Sequence, residues 1–346
     1  MGSAAKEIAS ELFQLIRVYK DGSVERLEGS PYVPPSPNPD PQTGISSKDI
    51  TISENPKVSA RLYLPKIQQH DQKLPILVYF HGSAFCLASA FSFLYHRYMN
   101  LLVSQANVVV VSVEYRLAPE HPLPAAYDDC WTALNWVASH SSAAKNEPNK
   151  DPWLLNYGDF NRLYIGGDSA GGNIAHNIAM RAGSENLEDN VKILGTLICH
   201  SYFWGSKPVG SENDPNKSKP YVTLESKSFA SDPSLGHEKS FPSLVWSLVN
   251  MYPSAPGGLD NPMLNPEGPE APSLAGLGCS RLLIVVAGED ELRDRGVRYH
   301  ELVKESGWKG ESDFHEDEGE VHGFHALNPD TVKAKNLIKR IASFLK

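Results

Sequence analysis

Ser169 stands at a corner in the sequence. The apolar run 163–168 ends in Gly166-Gly167-Asp168, and a helix-forming run, Asn173-Ile174-Ala175-His176-Asn177-Ile178-Ala179-Met180, follows. The spacing Gly167-x-Ser169-x-Gly171 suits a strand that turns so sharply into a helix that the residues two away must lack side chains, which pushes the serine hydroxyl into the open. The new helix also aims free backbone N–H groups at any charge that develops beside Ser169. A Gly-rich turn with an idle serine would show the same spacing, so partners are needed. A serine hydroxyl becomes nucleophilic when an imidazole takes its proton, and the imidazole in turn needs a carboxylate to fix its tautomer. Asp290, in Ala287-Gly288-Glu289-Asp290, follows an apolar strand-like run, and His322 lies in Glu320-Val321-His322-Gly323-Phe324 before the last helix. Asp294 is the rival acid, but Asp290 is nearer the strand end; a helix N-cap is its bland alternative. His315 and His325 compete with His322, which is favoured by the permissive backbone of Gly323. The same three histidines with nearby carboxylates have metal-ligand chemistry, but acidic loops are usually just solvated, and neither a metal nor a cofactor is expected.

These side chains need a scaffold to bring them together. Near-continuous apolar runs at 75–80 and 108–114 read as strands covered on both faces, and further strands are predicted at 163–168, 192–199 and 281–287. Helices are predicted between them, near 91–105, 125–139, 173–180, 295–305 and 331–345. That alternation is an α/β pattern, a mostly parallel sheet with helices on both faces, whose strand ends gather the chemistry. Edge strands are expected at 49–53 and 58–64, and a hairpin over 17–27 around Asp21-Gly22. Ile8, Leu12, Leu15 and Ile16 follow helical spacing, so an amphipathic lid helix is expected over 5–16. The Pro-rich run 34–41 is a stiff connector. Between 201 and 272 the alternation breaks into Pro, Gly, Ser and Asn around one helical segment near 241–252, as in an insertion capping a pocket, with 213–219 mobile. The 346 residues thus suit one large domain with a cap. A net charge of −9 without a basic stripe argues against nucleic acid or an anionic membrane. Neither a secretory signal nor a membrane-spanning run is expected, since 1–6 lack the charged and apolar regions of a signal and no apolar run approaches the length of a span. Cys86, Cys130, Cys199 and Cys279 are widely spaced and read as buried free thiols, which points to the cytoplasm.

Several motifs carry a family resemblance: His81-Gly82, Tyr115-Arg116-Leu117-Ala118-Pro119-Glu120-His121, Gly167-Asp168-Ser169-Ala170-Gly171-Gly172 and His322-Gly323-Phe324. Together, over nearly the whole chain, they resemble the hormone-sensitive-lipase-like plant carboxylesterases of the α/β-hydrolase fold, whose chain order is also Ser, Asp, His. Arg17-Val18-Tyr19-Lys20-Asp21-Gly22, Phe203-Trp204-Gly205 and Ser306-Gly307-Trp308 are most similar to the branch with the 2-hydroxyisoflavanone dehydratases and alkaloid cyclases. The resemblance implies one α/β-hydrolase domain over 1–346, with an N-terminal lid and hairpin in 1–45 and a cap at about 201–272. It implies Ser169, His322 and Asp290 as catalytic residues and the backbone N–H groups of Ser83, Ala84 and Ala170 as oxyanion donors. The family loop usually reads His-Gly-Gly, and here Ser83 replaces the second glycine. Arg116, Asp129 and Asp168 belong to family motifs that buried hydrogen bonding explains. The leading expectation is hydrolysis of an ester of a small, fairly apolar plant metabolite through an acyl-enzyme. The alternative is β-elimination from a hydroxyflavanone-like ketone, with His322 as base. The family's dehydratases often carry Thr at the nucleophile position, so Ser169 favours the esterase. A hormone receptor of the gibberellin type, which lacks the histidine, is disfavoured by His322.

Overall fold

The structure is a computed structural model that describes residues 6–12, 15–27, 29–69, 71–142, 150–213 and 250–346. The helical segment expected near 241–252 lies outside the described residues up to 249, as does most of 213–219.

The strand-like runs assemble into one eight-stranded sheet, ordered β11-β10-β9-β8-β6-β7-β5-β4. Its centre is β6 (Leu74–Phe80), every residue of which is buried. On one side β6 pairs in parallel with β7 (Val109–Glu114), and on the other with β8 (Gly158–Asp168). Parallel pairing continues through β9 (Ile193–Cys199), β10 (Cys279–Ala287) and β11 (Glu311–Asp317). Beyond β7, β5 (Lys57–Leu64) and β4 (Ser46–Glu54) close the other edge antiparallel, as their spacing predicts. The period of two divides β6 between two cores. Ile76, Val78 and Phe80 join one with α2 (Ala125–Ala138), α4 (Ala170–Ser184) and α5 (Arg293–Glu305), and Leu77 and Tyr79 join the other with α1 (Phe93–Ala106) and α7 (Val332–Phe344). Two shorter helices are α3 (Pro152–Tyr157) and α6 (Phe324–Leu327). Because β6, β8, β10 and β11 run parallel, the segments after them emerge on one side of the sheet, and the order reverses beside β6, where such sheets hold their ligands.

Two expectations need correction. Residues 5–16 do not form a helix: β1 (Ile8–Leu12) and β2 (Ile16–Tyr19) pair antiparallel, and β2 pairs with β3 (Val24–Arg26) across the Asp21-Gly22 turn. Leu12 faces Ile16 across this sheet and both are buried, so the apolar spacing that fits a helix is satisfied by strand pairing on the open edge of the hairpin. The edge strand β11, Glu-Ser-Asp-Phe-His-Glu-Asp, lies outside the strands expected from the sequence; its backbone ladder to β10 forms despite its polar side chains. None of the described helices is long and apolar enough to cross a membrane. All four cysteines are free and buried.

Candidate active site

The elbow is built by close backbone approach. β8 ends at Asp168, α4 begins at Ala170, and Ser169 between them has φ 55° and ψ −117°. A Cβ on Gly167 would lie 2.3 Å from the Phe80 carbonyl oxygen and one on Gly171 only 1.9 Å from it, so the end of β6 leaves room for nothing but glycine. Ser169 is held from both sides: its N–H donates to the Cys199 carbonyl at 2.9 Å, and its carbonyl accepts the Tyr202 N–H at 3.0 Å.

Asp290 and His322 meet at the same end of the sheet. His322 Nδ1 lies 2.7 Å from Asp290 Oδ2. The carboxylate can only accept, so Nδ1 carries the proton and Nε2 keeps a free lone pair. The other Asp290 oxygen accepts the Leu292 N–H at 2.9 Å, which fixes the carboxylate plane. Desolvation pulls the His322 pKa down, but the Asp290 charge and hydrogen bond outweigh it and raise it above the usual imidazole value. The loop itself is pinned where Gly323, at φ 68°, donates its N–H to His200 Nδ1 at 3.2 Å. Ser169 and His322 thus flank the Cys199-His200 corner after β9, Ser169 through its bond to the Cys199 carbonyl and the His322 loop through His200, and no hydrogen bond joins the Ser169 hydroxyl to the imidazole. Asp294 faces elsewhere: it binds Arg293 at 2.7 Å and accepts the Ser211 N–H at 2.6 Å. His315 pairs with Asp317 on β11 at 3.2 Å, and His325 is fully buried edge-on to Tyr98, its pKa lowered to about 3 by burial. His315, His322 and His325 therefore do not converge as metal ligands. Among the described residues the one group with such spacing is Cys199, His200 and His325, where burial raises the thiol pKa and lowers both imidazoles.

The segment after β6 supplies the third element. Ser83, Ala84 and Phe85 have φ of 76°, 52° and 61°, three successive left-handed residues without a glycine among them. Buried hydrogen bonds tie this turn to the elbow. The Gly82 N–H donates to the Tyr95 hydroxyl at 2.7 Å, which donates to Asp168 Oδ2 at 2.9 Å, while Tyr79 donates to Asp168 Oδ1 at 2.6 Å. A Cβ on Gly82 would be 2.6 Å from Asp168 Oδ2, the oxygen that Tyr95 binds. Desolvation raises the Asp168 pKa against the pull of the two tyrosines. His81 stacks on Tyr115 at 4.2 Å and is held neutral by burial, its pKa lowered to about 4, so it supports the turn rather than carrying protons. Arg116 and Asp129 form a bidentate pair that braces the strand end after β7. From the N-terminal sheet, Arg26 donates to the Cys86 carbonyl at 2.6 Å and to the Ala118 carbonyl at 3.2 Å, and grips Glu120 with both terminal nitrogens at 2.7 and 2.8 Å. Tyr79, Tyr95, His200 and Arg26 had no signal in the sequence, because each acts through a partner more than 60 positions away or through a backbone group. The assembled groups can take a proton from a hydroxyl or an acidic C–H and offer N–H donors to an oxygen gaining charge.

The comparisons agree with this architecture. A family model described as the alpha/beta hydrolase fold matches residues 77–326. A 2-hydroxyisoflavanone dehydratase from Glycyrrhiza echinata is 57% identical over 343 residues, covering 99% of this chain and 98% of its own, and one from Glycine max is 53% identical over 341 residues, covering 99% of each. Among solved structures, the esterase from the archaeon Pyrobaculum calidifontis superposes with a TM-score of 0.65 at 26% identity, covering 87% of this chain and 84% of that one. The chain belongs to the α/β-hydrolase fold family and resembles its 2-hydroxyisoflavanone-dehydratase-like branch.

Proposed function

We propose that the protein is a serine carboxylesterase acting on esters of small apolar metabolites. Ser169 attacks the ester carbonyl, His322 takes the serine proton and returns it to the leaving alcohol, Asp290 holds the imidazole, and water then hydrolyses the acyl-enzyme. Backbone N–H groups of Ser83, Ala84 and Ala170 receive the oxyanion. The reading rests on one observation above others: a serine held at φ 55° on a strand-to-helix corner, at the same end of the sheet as an imidazole whose Nδ1 is fixed by a carboxylate at 2.7 Å. No step calls for a cofactor.

Elimination is the second reading, favoured by the dehydratase relatives at 57% and 53% identity. Here His322 removes the proton beside a ketone and the same N–H groups hold the enolate oxygen; the enolate then collapses to form the C=C bond and expels the β-hydroxyl, which leaves as water with the proton returned by His322. Ser169→Ala separates the two. Under the esterase reading it lowers short-chain aryl ester turnover about a thousand-fold or more, and the parent gives no dehydration of a 2-hydroxyflavanone-type ketone above the spontaneous rate. Efficient dehydration that survives Ser169→Ala but not His322→Ala overturns that reading in favour of the lyase.

A further inference from the structure

Three successive side chains occupy left-handed backbone in the turn after β6, and two of them have an evident use or no cost to explain. Phe85 is fully buried and packs edge-on against Tyr127 and Tyr202, so its ring fills the core beneath the turn. Ala84 carries only a methyl group. Ser83, at φ 76°, holds the most positive angle of the three, where glycine would sit without strain. Its carbonyl is used, accepting the Cys86 and Leu87 N–H groups at 3.1 and 3.2 Å. Its hydroxyl is not: it has no hydrogen-bond partner among the described residues, and the side chain is only half-buried while His81, Gly82, Phe85 and Cys86 around it are buried. A strained polar side chain that nothing in the fold uses stands in the turn whose N–H groups are proposed above as oxyanion donors, one residue past the glycine that abuts Asp168.

We propose that the Ser83 hydroxyl is a catalytic group, an O–H donor to the substrate oxygen that becomes negatively charged, working beside the backbone donors. The proposal rests on the reading of Ser169 and His322 given above. As Ser169 Oγ bonds to the carbonyl carbon, its proton passes to His322 Nε2 and the C=O π pair moves onto oxygen, which accepts the Ser83 O–H hydrogen bond. Ser83 keeps its proton throughout. Collapse reforms the C=O bond and expels the alcohol, which takes the proton from His322. A hydroxyl rotates about its Cβ–Oγ bond, so this donor can follow the oxygen as it moves off the carbonyl plane, whereas the backbone N–H groups are fixed. The same donor would serve an enolate oxygen, so it suits carbonyl substrates in which a full charge develops on oxygen.

The test compares Ser83→Ala, which keeps a side chain but loses the hydroxyl, with Ser83→Gly, which loses the hydroxyl and relieves the backbone. With a short-chain aryl ester, each lowers kcat about 10- to 100-fold, toward the lower end of what one oxyanion donor contributes, with KM within about threefold and the melting temperature not lowered. An aryl boronic acid, which adds to Ser169 as an anionic tetrahedral adduct, binds both variants more weakly by a similar factor. A merely structural role would move stability and leave the boronate affinity alone. Either variant keeping kcat and boronate affinity within about twofold of the parent overturns the proposal. Retained ester turnover in Ser169→Ala would instead overturn the reading of the site, so the two failures are told apart.

Discussion

Tyr95→Phe removes one oxygen atom from the buried joint between the turn and the elbow. That oxygen accepts the Gly82 N–H at 2.7 Å and donates to Asp168 at 2.9 Å, and the side chain is only 2% exposed, so water does not replace it. An orphaned buried N–H costs about 1–3 kcal/mol and a lost hydrogen bond to a charged acceptor about 1.5–3 kcal/mol. The two losses share one atom and the turn can relax, so a net cost of about 3 kcal/mol is expected. With an unfolding entropy of about 2.1 cal/mol/K per residue, roughly 0.7 kcal/mol/K over 346 residues, this lowers the melting temperature by about 4 °C. Activity should suffer as well, because Gly82 directly precedes the proposed donors and a misplacement of about 1 Å can cost about a hundred-fold; a shift of half that size lowers kcat about tenfold with little change in KM. Thermal melts and aryl ester kinetics measure both. Tyr98→Phe is the control, since that hydroxyl lies on the same helix but hydrogen-bonds neither Gly82 nor Asp168. Should Tyr95→Phe melt within about 1 °C of the parent and turn over within twofold, the joint does not hold the turn and the reasoning fails.

The raised pKa of His322 places the ascending limb of the kcat/KM against pH profile above 6.5, since only the neutral imidazole accepts the serine proton. Asp290→Asn should lower that limb and cut the plateau about a thousand-fold or more, while Asp294→Asn, which faces Arg293 and Ser211, changes turnover only severalfold; pH profiles of the pair decide this. Gly171→Ala sets a methyl group 1.9 Å from a backbone oxygen that cannot step aside, so it should cost more than about 4 kcal/mol and yield no folded protein by circular dichroism. Arg26→Ala frees the Cys86 and Ala118 carbonyls. Its half-exposed pair with Glu120 contributes at most about 1 kcal/mol, so the melting temperature should move little while kcat falls severalfold, and Arg26→Lys should not restore it because an ammonium lacks the fork.

The elbow was legible because its geometry permits so few residues: two glycines two positions from a serine are what the Phe80 carbonyl demands. The parallel strands were legible because burial on both faces makes them apolar throughout, as in β6. Residues 8–16 are ambiguous in the sequence because Ile8, Leu12 and Ile16 fit two periods, and what decides between them is the free edge of a hairpin, which no local window contains. β11 was missed for the converse reason: a strand at the sheet edge, held by its backbone ladder to β10, needs little apolar surface, and its seven residues include four acids. In the site, the acid and the histidine could be ranked from their distance to a strand end and a neighbouring glycine. The tyrosine supports of Asp168 could not, because a tyrosine in an apolar run looks like core until its hydroxyl is seen to find a carboxylate.

The four buried thiols give the molecule an internal set of clocks. Burial raises the Cys86 pKa to about 12 and that of Cys279 to about 11, and lifts Cys130 and Cys199 well above the usual thiol range. Burial thus keeps all four as thiols at neutral pH, and little of any sulfur is open to an electrophile in solution. Labelling must wait for the chain to open around each sulfur, so its rate counts openings rather than reports intrinsic reactivity. The sulfurs are well distributed for this: Cys86 closes the turn gripped by Arg26, Cys130 lies within α2, Cys199 ends β9 behind Ser169, and Cys279 begins β10 at the far end of the sheet. Each therefore times the breathing of a different region, and the rate recorded at Cys86 reports on the turn that Tyr95 ties to the elbow.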